Sequence, residues 1–156
     1  MAYGNGIVYM TCGEGADDTR RVRSFKVGSG FLDRFFACPD NTGSHATVVD
    51  GRLLLAQWYN KRLMLLDDDG AILKEYHAPH GIAGVSLRDG NVYTLGTDDE
   101  EGGAYWITRI DIRDASRPPE DVALVPFHAR SLAFDGAQWW TNHREAHQTV
   151  AFDLPA

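Results

Sequence analysis

Four hairpin-turn dipeptides recur along this chain and constrain its fold more than any other feature. Asn5-Gly6, Asp50-Gly51, Asp89-Gly90 and Asp135-Gly136 follow one another after 45, 39 and 46 residues. Asn-Gly and Asp-Gly favour type I′ turns, because both central residues of such a turn need a positive φ. A short apolar segment follows each dipeptide, so each one predicts a pair of antiparallel strands.

The spacing of these turns predicts a β-propeller. A period of about 40 to 50 residues with several short strands is typical of propeller blades. The second period shows the pattern most regularly, with strands over residues 45–49, 52–57, 62–66 and 71–77 separated by turn residues. No segment favours a helix, since glycines, β-branched and aromatic residues interrupt every candidate. We therefore expect one all-β domain over residues 1–156, with blades of four antiparallel strands.

The number of strands does not complete a ring. The sequence predicts three, four, four and three strands in the successive periods, because the first lacks an inner strand and the last lacks an outer one. An arc of about three and a half blades would leave apolar blade faces and sheet edges exposed. We therefore expect a homodimer that closes one propeller, with a longer natural chain as the alternative.

Composition narrows the classes of partner. The 156 residues carry a formal net charge of −7, which disfavours binding to nucleic acids or to anionic membranes. No apolar run approaches the roughly 20 residues that span a bilayer, and the first residues lack the basic and apolar regions of a signal peptide. We expect a cytoplasmic protein. Cys12 and Cys38 match no metal or redox spacing.

Two stretches of the chain resemble a known group of repeats. Phe134-Asp135-Gly136 followed by Trp139-Trp140 is one, and Asn60-Lys61-Arg62-Leu63 followed by Leu66-Asp67-Asp68-Asp69-Gly70 is the other. They resemble the repeats of the NHL, SMP-30-like and virginiamycin B lyase-like propellers. In those repeats a hydrophobic-Asp-Gly turn leads to a strand, an Asn-Arg-type loop and a strand that ends in Asp-x-x-Gly. The resemblance implies a propeller scaffold, which serves binding proteins and enzymes alike.

Three histidines precede predicted innermost strands. His45, His80 and His128 lie in the connections that should open onto the central channel. Their offsets to the following Asp-Gly turn are 5, 9 and 7 residues, all odd, so their side chains should share one face of their strands. Neutral imidazoles in this arrangement suit zinc or another divalent metal. The resemblance implies the same chemistry, since lyases of this group use channel histidines with a metal such as magnesium. The alternative is three solvated histidines at strand starts.

The loops between the second and third strands of each period supply candidates for ligand binding. Trp58, Tyr59, Asn60 and Lys61 combine an aromatic platform with hydrogen-bond donors, as small-ligand and carbohydrate sites do. Arg130 should lie near them on the channel side. Aromatic side chains that fill the space between blades are the alternative.

The corresponding loop of the fourth period supplies candidates for catalysis. His143 and Glu145 offer a general base and an orienting carboxylate, with Arg144 between them. An acidic loop over residues 98–101 offers oxygen ligands for a cation, although it matches no calcium-loop pattern and a solvated loop is the alternative.

These candidates support three functions. The first is a non-catalytic module that recognises a small ligand or a protein partner on the channel face. The second is a metal-dependent lyase or hydrolase that uses the three channel histidines as ligands, with Arg130, Arg144 or Lys61 stabilising a developing oxyanion. The third is lectin-like carbohydrate binding through Trp58 or Trp139. The sequence alone leaves open whether the protein is an enzyme.

Overall fold

The chain folds into antiparallel sheets, as its turn pattern predicts. The computed structural model describes residues 1–14 and 19–154. Within these ranges fifteen strands form four sheets, and the only helix is a 3-10 turn at Pro39–Asn41. Each sheet is a meander in which neighbours in sequence pair with each other. The four sheets follow one another as the blades of a β-propeller.

The strands are numbered in chain order, with four in each of the first three blades and three in the fourth. The first sheet consists of β1 (Ala2–Gly4), β2 (Ile7–Glu14), β3 (Thr19–Lys26) and β4 (Gly30–Ala37). The second consists of β5 (Ala46–Val49), β6 (Arg52–Gln57), β7 (Arg62–Leu66) and β8 (Ile72–His77). The third consists of β9 (Gly81–Arg88), β10 (Asn91–Thr97), β11 (Tyr105–Ile110) and β12 (Glu120–Val125). The fourth consists of β13 (Ala133–Phe134), β14 (Trp139–His143) and β15 (Gln148–Phe152).

The first sheet corrects the prediction that its inner strand is absent. Ala2–Gly4 forms that strand and pairs with β2, with Ala2 opposite Tyr9 and Gly4 opposite Ile7. Three residues are too few to show an alternating pattern, so this strand is recognisable only through its partners. Gly4 lies against Val48 of the second sheet, where an added Cβ would come within 2.5 Å of Val48 Cγ1. The fourth sheet has three strands within the described residues, in agreement with the sequence.

Two-residue turns join the first and second strands of three sheets. In the first of these turns Asn5 and Gly6 have φ values of 52° and 76°, and both central residues are also in the positive-φ region at residues 50–51 and 89–90. This conformation fits a type I′ turn and confirms the hairpin prediction. The fourth turn differs: Phe134 pairs with Trp139, so four residues form the connection. There Asp135 Oδ1 accepts hydrogen bonds from the backbone amides of Ala137 and Gln138, both at 2.8 Å.

Three apolar clusters fill the spaces between consecutive sheets. The first and second sheets bury Val22, Leu55 and Met64 among others, and the second and third bury Leu54 and Ile82. Between the third and fourth sheets the largest buried side chain is Trp139. It is 1% exposed and packs against Tyr93 at 4.7 Å and Phe134 at 5.0 Å between ring centroids. Burial of such a side chain stabilises the fold by roughly 25 cal/mol per Å² of apolar surface. Because Trp139 is buried between these sheets, it cannot present its ring to a carbohydrate, and lectin-like binding stays a prediction for Trp58.

The four blades form an open arc. The innermost strands β1, β5, β9 and β13 contact one another in turn. None of the three apolar clusters joins the fourth sheet to the first in the part of the chain that the structure describes. The outward faces of these two terminal sheets thus remain uncovered.

Cys12 and Cys38 are free thiols, and burial raises the pKa of Cys38 to about 11. No helix in residues 1–14 and 19–154 has the length and apolar character needed to cross a membrane.

Candidate functional site

Loops from all four blades meet at one cavity on the channel side. Its volume is about 470 Å³. The residues that line it come from the start of β3, the connection before β5, the β6–β7 loop, the start of β9, the β10–β11 loop and the segment before β13. They include Arg20, Thr42, Ser44, His45, Trp58, Tyr59, Glu100 and Arg130. The sequence-based expectation that these two kinds of loop open on one side is therefore correct.

Buried Gln57 fixes the connection that leads into this cavity. Its Nε2 donates to the carbonyl oxygens of Pro39 (2.7 Å) and Thr42 (2.9 Å). Its Oε1 accepts from Asn60 Nδ2 (2.8 Å) and Arg62 Nε (2.6 Å). The side chain of Gln57 is fully buried and makes all four of these hydrogen bonds. Sequence reasoning missed Gln57, because its position at the end of an apolar strand gave no functional signal.

His45 is a neutral imidazole at the cavity. It precedes β5, and its carbonyl accepts a hydrogen bond from the amide of Ala56 at 2.7 Å. Burial lowers the pKa of His45 to about 4, and the positive charges of the chain's amino terminus and of Arg130 act in the same direction. The imidazole is consequently uncharged near neutral pH and offers both a donor and an acceptor nitrogen.

Arg130 is the second polar group of the cavity. Its guanidinium forms an ion pair with Glu100, and both side chains are nearly half exposed. The amide of Arg130 and the hydroxyl of Ser131 donate to Asn142 Oδ1 at 2.8 and 2.9 Å, which fixes the backbone beneath the guanidinium. An ion pair this exposed contributes only about 0–1 kcal/mol, so another anion can replace Glu100 at little cost.

Two aromatic residues border the cavity in different ways. Trp58 is half-buried and packs against the cluster between the third and fourth sheets. Tyr59 projects into solvent and is 85% exposed. Tyr105 lies close by on β11, and its hydroxyl is buried without a hydrogen-bond partner among the described residues. Burial raises the pKa of Tyr105, while the charge of Arg130 lowers it and that of Glu100 raises it. No feature of the sequence distinguished Tyr105.

Asn60 and Lys61, also predicted to bind ligand, lie outside the cavity lining. Asn60 is turned onto Gln57, and Lys61 Nζ forms an ion pair with Asp98 Oδ1 at 2.7 Å and donates to the carbonyl of Pro79 at 3.2 Å. Both side chains hold loops together in this structure.

His80 is held between two carboxylates. Its Nδ1 lies 2.8 Å from Asp98 Oδ2 and its Nε2 lies 3.1 Å from Asp121 Oδ2. Burial alone would lower the pKa of His80, but these two hydrogen bonds and charges outweigh it and raise the pKa. Trp106 stacks on the ring, with centroids 6.2 Å apart. Neither ring nitrogen is left for a metal ion.

His128 joins the candidates for catalysis in the fourth sheet. Glu145 lies between two imidazoles, with Oε1 2.7 Å from His128 Nδ1 and Oε2 3.3 Å from His143 Nδ1. Phe127 stacks on His143 with ring centroids 4.3 Å apart. The backbone amide of Arg144 donates to the carbonyl of His128 at 2.9 Å. The structure thus gathers His143 and Glu145 as predicted and adds His128 to them.

The three channel histidines do not form one ligand set. His45 borders the cavity, His80 is enclosed by carboxylates and His128 pairs with Glu145. Among the described residues, no group of three or more His, Cys, Asp or Glu side chains is arranged to hold a metal ion. The three histidines therefore do not meet at one point in this structure, and zinc or magnesium binding stays a prediction from the sequence.

The fold is similar to solved propeller structures, although the sequence comparisons found no match. No family model and no curated protein matches the chain. A glutaminyl cyclase from Myxococcus xanthus aligns with a TM-score of 0.70 at 11% identity, over 98% of this chain and 70% of that one. The computationally designed Ika4 protein aligns with a TM-score of 0.64 at 13% identity, over 99% and 89%. The WD40 domain of Neurospora crassa Pan2 aligns with a TM-score of 0.57 at 11% identity, and this chain spans about half of it (52%). These similarities place the chain in the class of β-propellers.

Proposed function

We propose that this propeller is a binding module that takes a small anionic ligand, with a carboxylate or a phosphate group, in the cavity at the channel mouth. One observation carries the proposal: two arginines and a neutral histidine face a single cavity built by loops of all four blades. Arg20 and Arg130 line it, and Glu100 is the acidic residue among the lining residues that the structure describes.

The local charge contrasts with that of the whole chain. The protein carries a formal charge of −7, whereas two of the charged residues that the structure describes in the cavity lining, Arg20 and Arg130, are arginines. The lowered pKa of His45 supports this view, since burial and two nearby positive charges disfavour its protonation. Arginine side chains gathered at one cavity attract anions locally on a protein whose net charge is negative.

Each part of the lining has a place in this proposal. Arg130 exchanges Glu100 for the ligand anion, because planar guanidinium groups bind carboxylate and phosphate oxygens through paired hydrogen bonds. Neutral His45 adds one hydrogen bond without charge. The exposed ring of Tyr59 covers an apolar part of the ligand, as aromatic residues do in small-molecule sites.

A titration followed by amide NMR tests the proposal with simple probes. Succinate and inorganic phosphate are the anionic probes, and glucose is the neutral one. We expect the anions to shift the amide signals around His45, Tyr59 and Arg130, and glucose to shift none. Equal responses to all three probes, or shifts confined to other loops, contradict the proposal.

Arg130→Gln supplies the matched variant. Loss of a charged hydrogen bond of about 1.5–3 kcal/mol weakens anion binding by about 10- to 100-fold. Arg117→Gln is the control, because Arg117 is exposed and lies outside the cavity lining. An unchanged affinity in Arg130→Gln would show that the anion binds elsewhere.

A further inference from the structure

The two terminal sheets each present an uncovered face. The first-sheet face consists of residues whose side chains point away from the second sheet: Tyr3, Val8, Met10, Arg23 and Phe35. Tyr3 is 66% exposed, Phe35 56% and Met10 40%. The fourth-sheet face consists of residues that point away from the third sheet: Ala133, Trp140, Thr149, Ala151 and Asp153. All of these are exposed except Trp140, which is half-buried.

The first-sheet face repeats the positions that seal the internal interfaces. Val8 follows its turn glycine by two residues, as Leu53 and Val92 do, and these two are 3% and 0% exposed against the preceding sheet. Met10 follows by four residues, as fully buried Leu55 does. The first sheet therefore carries apolar residues where the later sheets contact a preceding blade, although no blade precedes it here.

The fourth-sheet face carries the opposite half of such an interface. Trp139 points to the third sheet, so Trp140 points the other way, together with its cross-strand neighbours Ala133 and Ala151. On the first three sheets the corresponding side of the second strand carries Tyr9, Leu54 and Tyr93, and each packs into the space before the next blade. Trp140 is an aromatic residue on the corresponding side of β14, but in this chain no next blade packs against it.

The two faces are complementary in size and charge. The first-sheet face projects the large rings of Tyr3 and Phe35, while the fourth-sheet face has two alanines that leave room for them. The first-sheet face has Arg23 at its exposed surface, and the fourth-sheet face has Asp153. Interfaces of opposite charge associate faster and more selectively than neutral ones.

We propose that two copies of this chain close one ring, with the first-sheet face of each copy against the fourth-sheet face of the other. Because the two faces differ, the contact runs head to tail, and such contacts give closed rings when the rotation completes a circle. Two arcs of four sheets give eight blades. Both contacts are equivalent by the two-fold axis, and both cover apolar surface that is otherwise in water.

Light scattering coupled to size exclusion tests the proposal on the purified chain. We expect twice the mass of the 17.3 kDa chain. A monomer at all concentrations up to the millimolar range overturns the second copy as the occupant and favours further blades of a longer chain. A trimer or an open series of masses overturns the closed ring of two.

Single variants on the two faces make the test specific. Met10→Asp places a charge on the first-sheet face, and Ala151→Arg places a bulky charge on the fourth-sheet face; both positions are exposed in the single chain, so each variant keeps its fold. Each variant alone is expected to be a monomer, since both interfaces of its dimer are damaged. Leu124→Asp on β12 is the control, because Leu124 is 52% exposed but lies on neither face, and it should remain a dimer.

Mixing the two variants distinguishes the head-to-tail arrangement from other dimers. The mixture retains one intact interface, between the first-sheet face of Ala151→Arg and the fourth-sheet face of Met10→Asp. We expect it to recover dimers that neither variant forms alone. If the two variants stay monomeric together, or if either dimerises alone, the head-to-tail ring is wrong. Neither result depends on the ligand proposed for the cavity, which is tested separately by anion titration.

Discussion

Replacing Gln57 tests how a buried amide organises the channel side of this propeller. Its side chain is fully buried at the end of β6 and makes four hydrogen bonds. Gln57→Leu preserves the approximate volume but removes all four bonds. The carbonyl oxygens of Pro39 and Thr42 lose a donor, and the side chains of Asn60 and Arg62 lose an acceptor.

The expected loss follows from these four contacts. Three are neutral bonds of about 1 kcal/mol net each, and the bond from the Arg62 guanidinium contributes about 1.5–3 kcal/mol, which gives an upper total of about 4.5–6 kcal/mol. Part of this free energy is not lost, because Arg62 keeps its ion pairs with Asp40 and Glu75 and the exposed side chain of Asn60 can bond to water instead. We therefore expect Gln57→Leu to lower the free energy of unfolding by about 3 kcal/mol.

Urea unfolding followed by tryptophan fluorescence measures this loss. Gln148→Leu is the matched control, because Gln148 is exposed at the start of β15, and it should change stability by less than about 0.5 kcal/mol. A loss below about 1 kcal/mol in Gln57→Leu would refute the reasoning, since even the charged bond alone exceeds that value. Gln57→Glu adds a pH test: its carboxylate faces two carbonyl oxygens at neutral pH, and its penalty should shrink in acid, where the carboxyl group becomes a donor.

Two further predictions concern His80 and Gly84. The pKa of His80 is raised in the folded chain, so its contribution to stability is fully present below its unfolded pKa of about 6.5 and is lost as the pH rises through the folded value. The difference in unfolding free energy between the wild type and His80→Ala should therefore be larger at pH 5.5 than at pH 8.5. Equal differences at the two pH values would contradict this. In Gly84→Ala the new Cβ would lie 2.7 Å from the backbone nitrogen of Leu132 and 2.9 Å from the carbonyl carbon of Ser131. Thermal unfolding should show a loss of about 1–3 kcal/mol, whereas Gly102→Ala, with open space around it, should be close to neutral.

The blade repeat was predictable because turn conformation is a local property. The dipeptides at residues 5–6, 50–51 and 89–90 adopt positive φ in the structure, and the strands follow directly. Asp135-Gly136 is the same dipeptide in a different turn, since Asp135 captures two backbone amides through Oδ1 and Trp140 Nε1 through Oδ2. An aspartate permits both conformations, so the sequence could not choose between them.

The candidate site was predictable only in part, because its partners come from distant segments. Trp58, Tyr59, His45 and Arg130 were placed on the channel side by strand order alone, and they line one cavity. The raised pKa of His80 instead depends on the carboxylates of Asp98 and Asp121, which are 18 and 41 residues away in the sequence. Which donor meets which acceptor across loops is decided by tertiary packing, and no spacing rule in the sequence encodes it.

The turn over residues 135–138 also determines which of two adjacent tryptophans belongs to the interior. Trp139 and Trp140 alternate between the two sides of β14, and the pairing of Phe134 with Trp139 fixes that alternation. The period of a strand is two, so a slip of this pairing by one residue would exchange the two indoles, whereas a slip of two would restore them. The turn can therefore vary in length, provided that the pairing of Phe134 with Trp139 is kept.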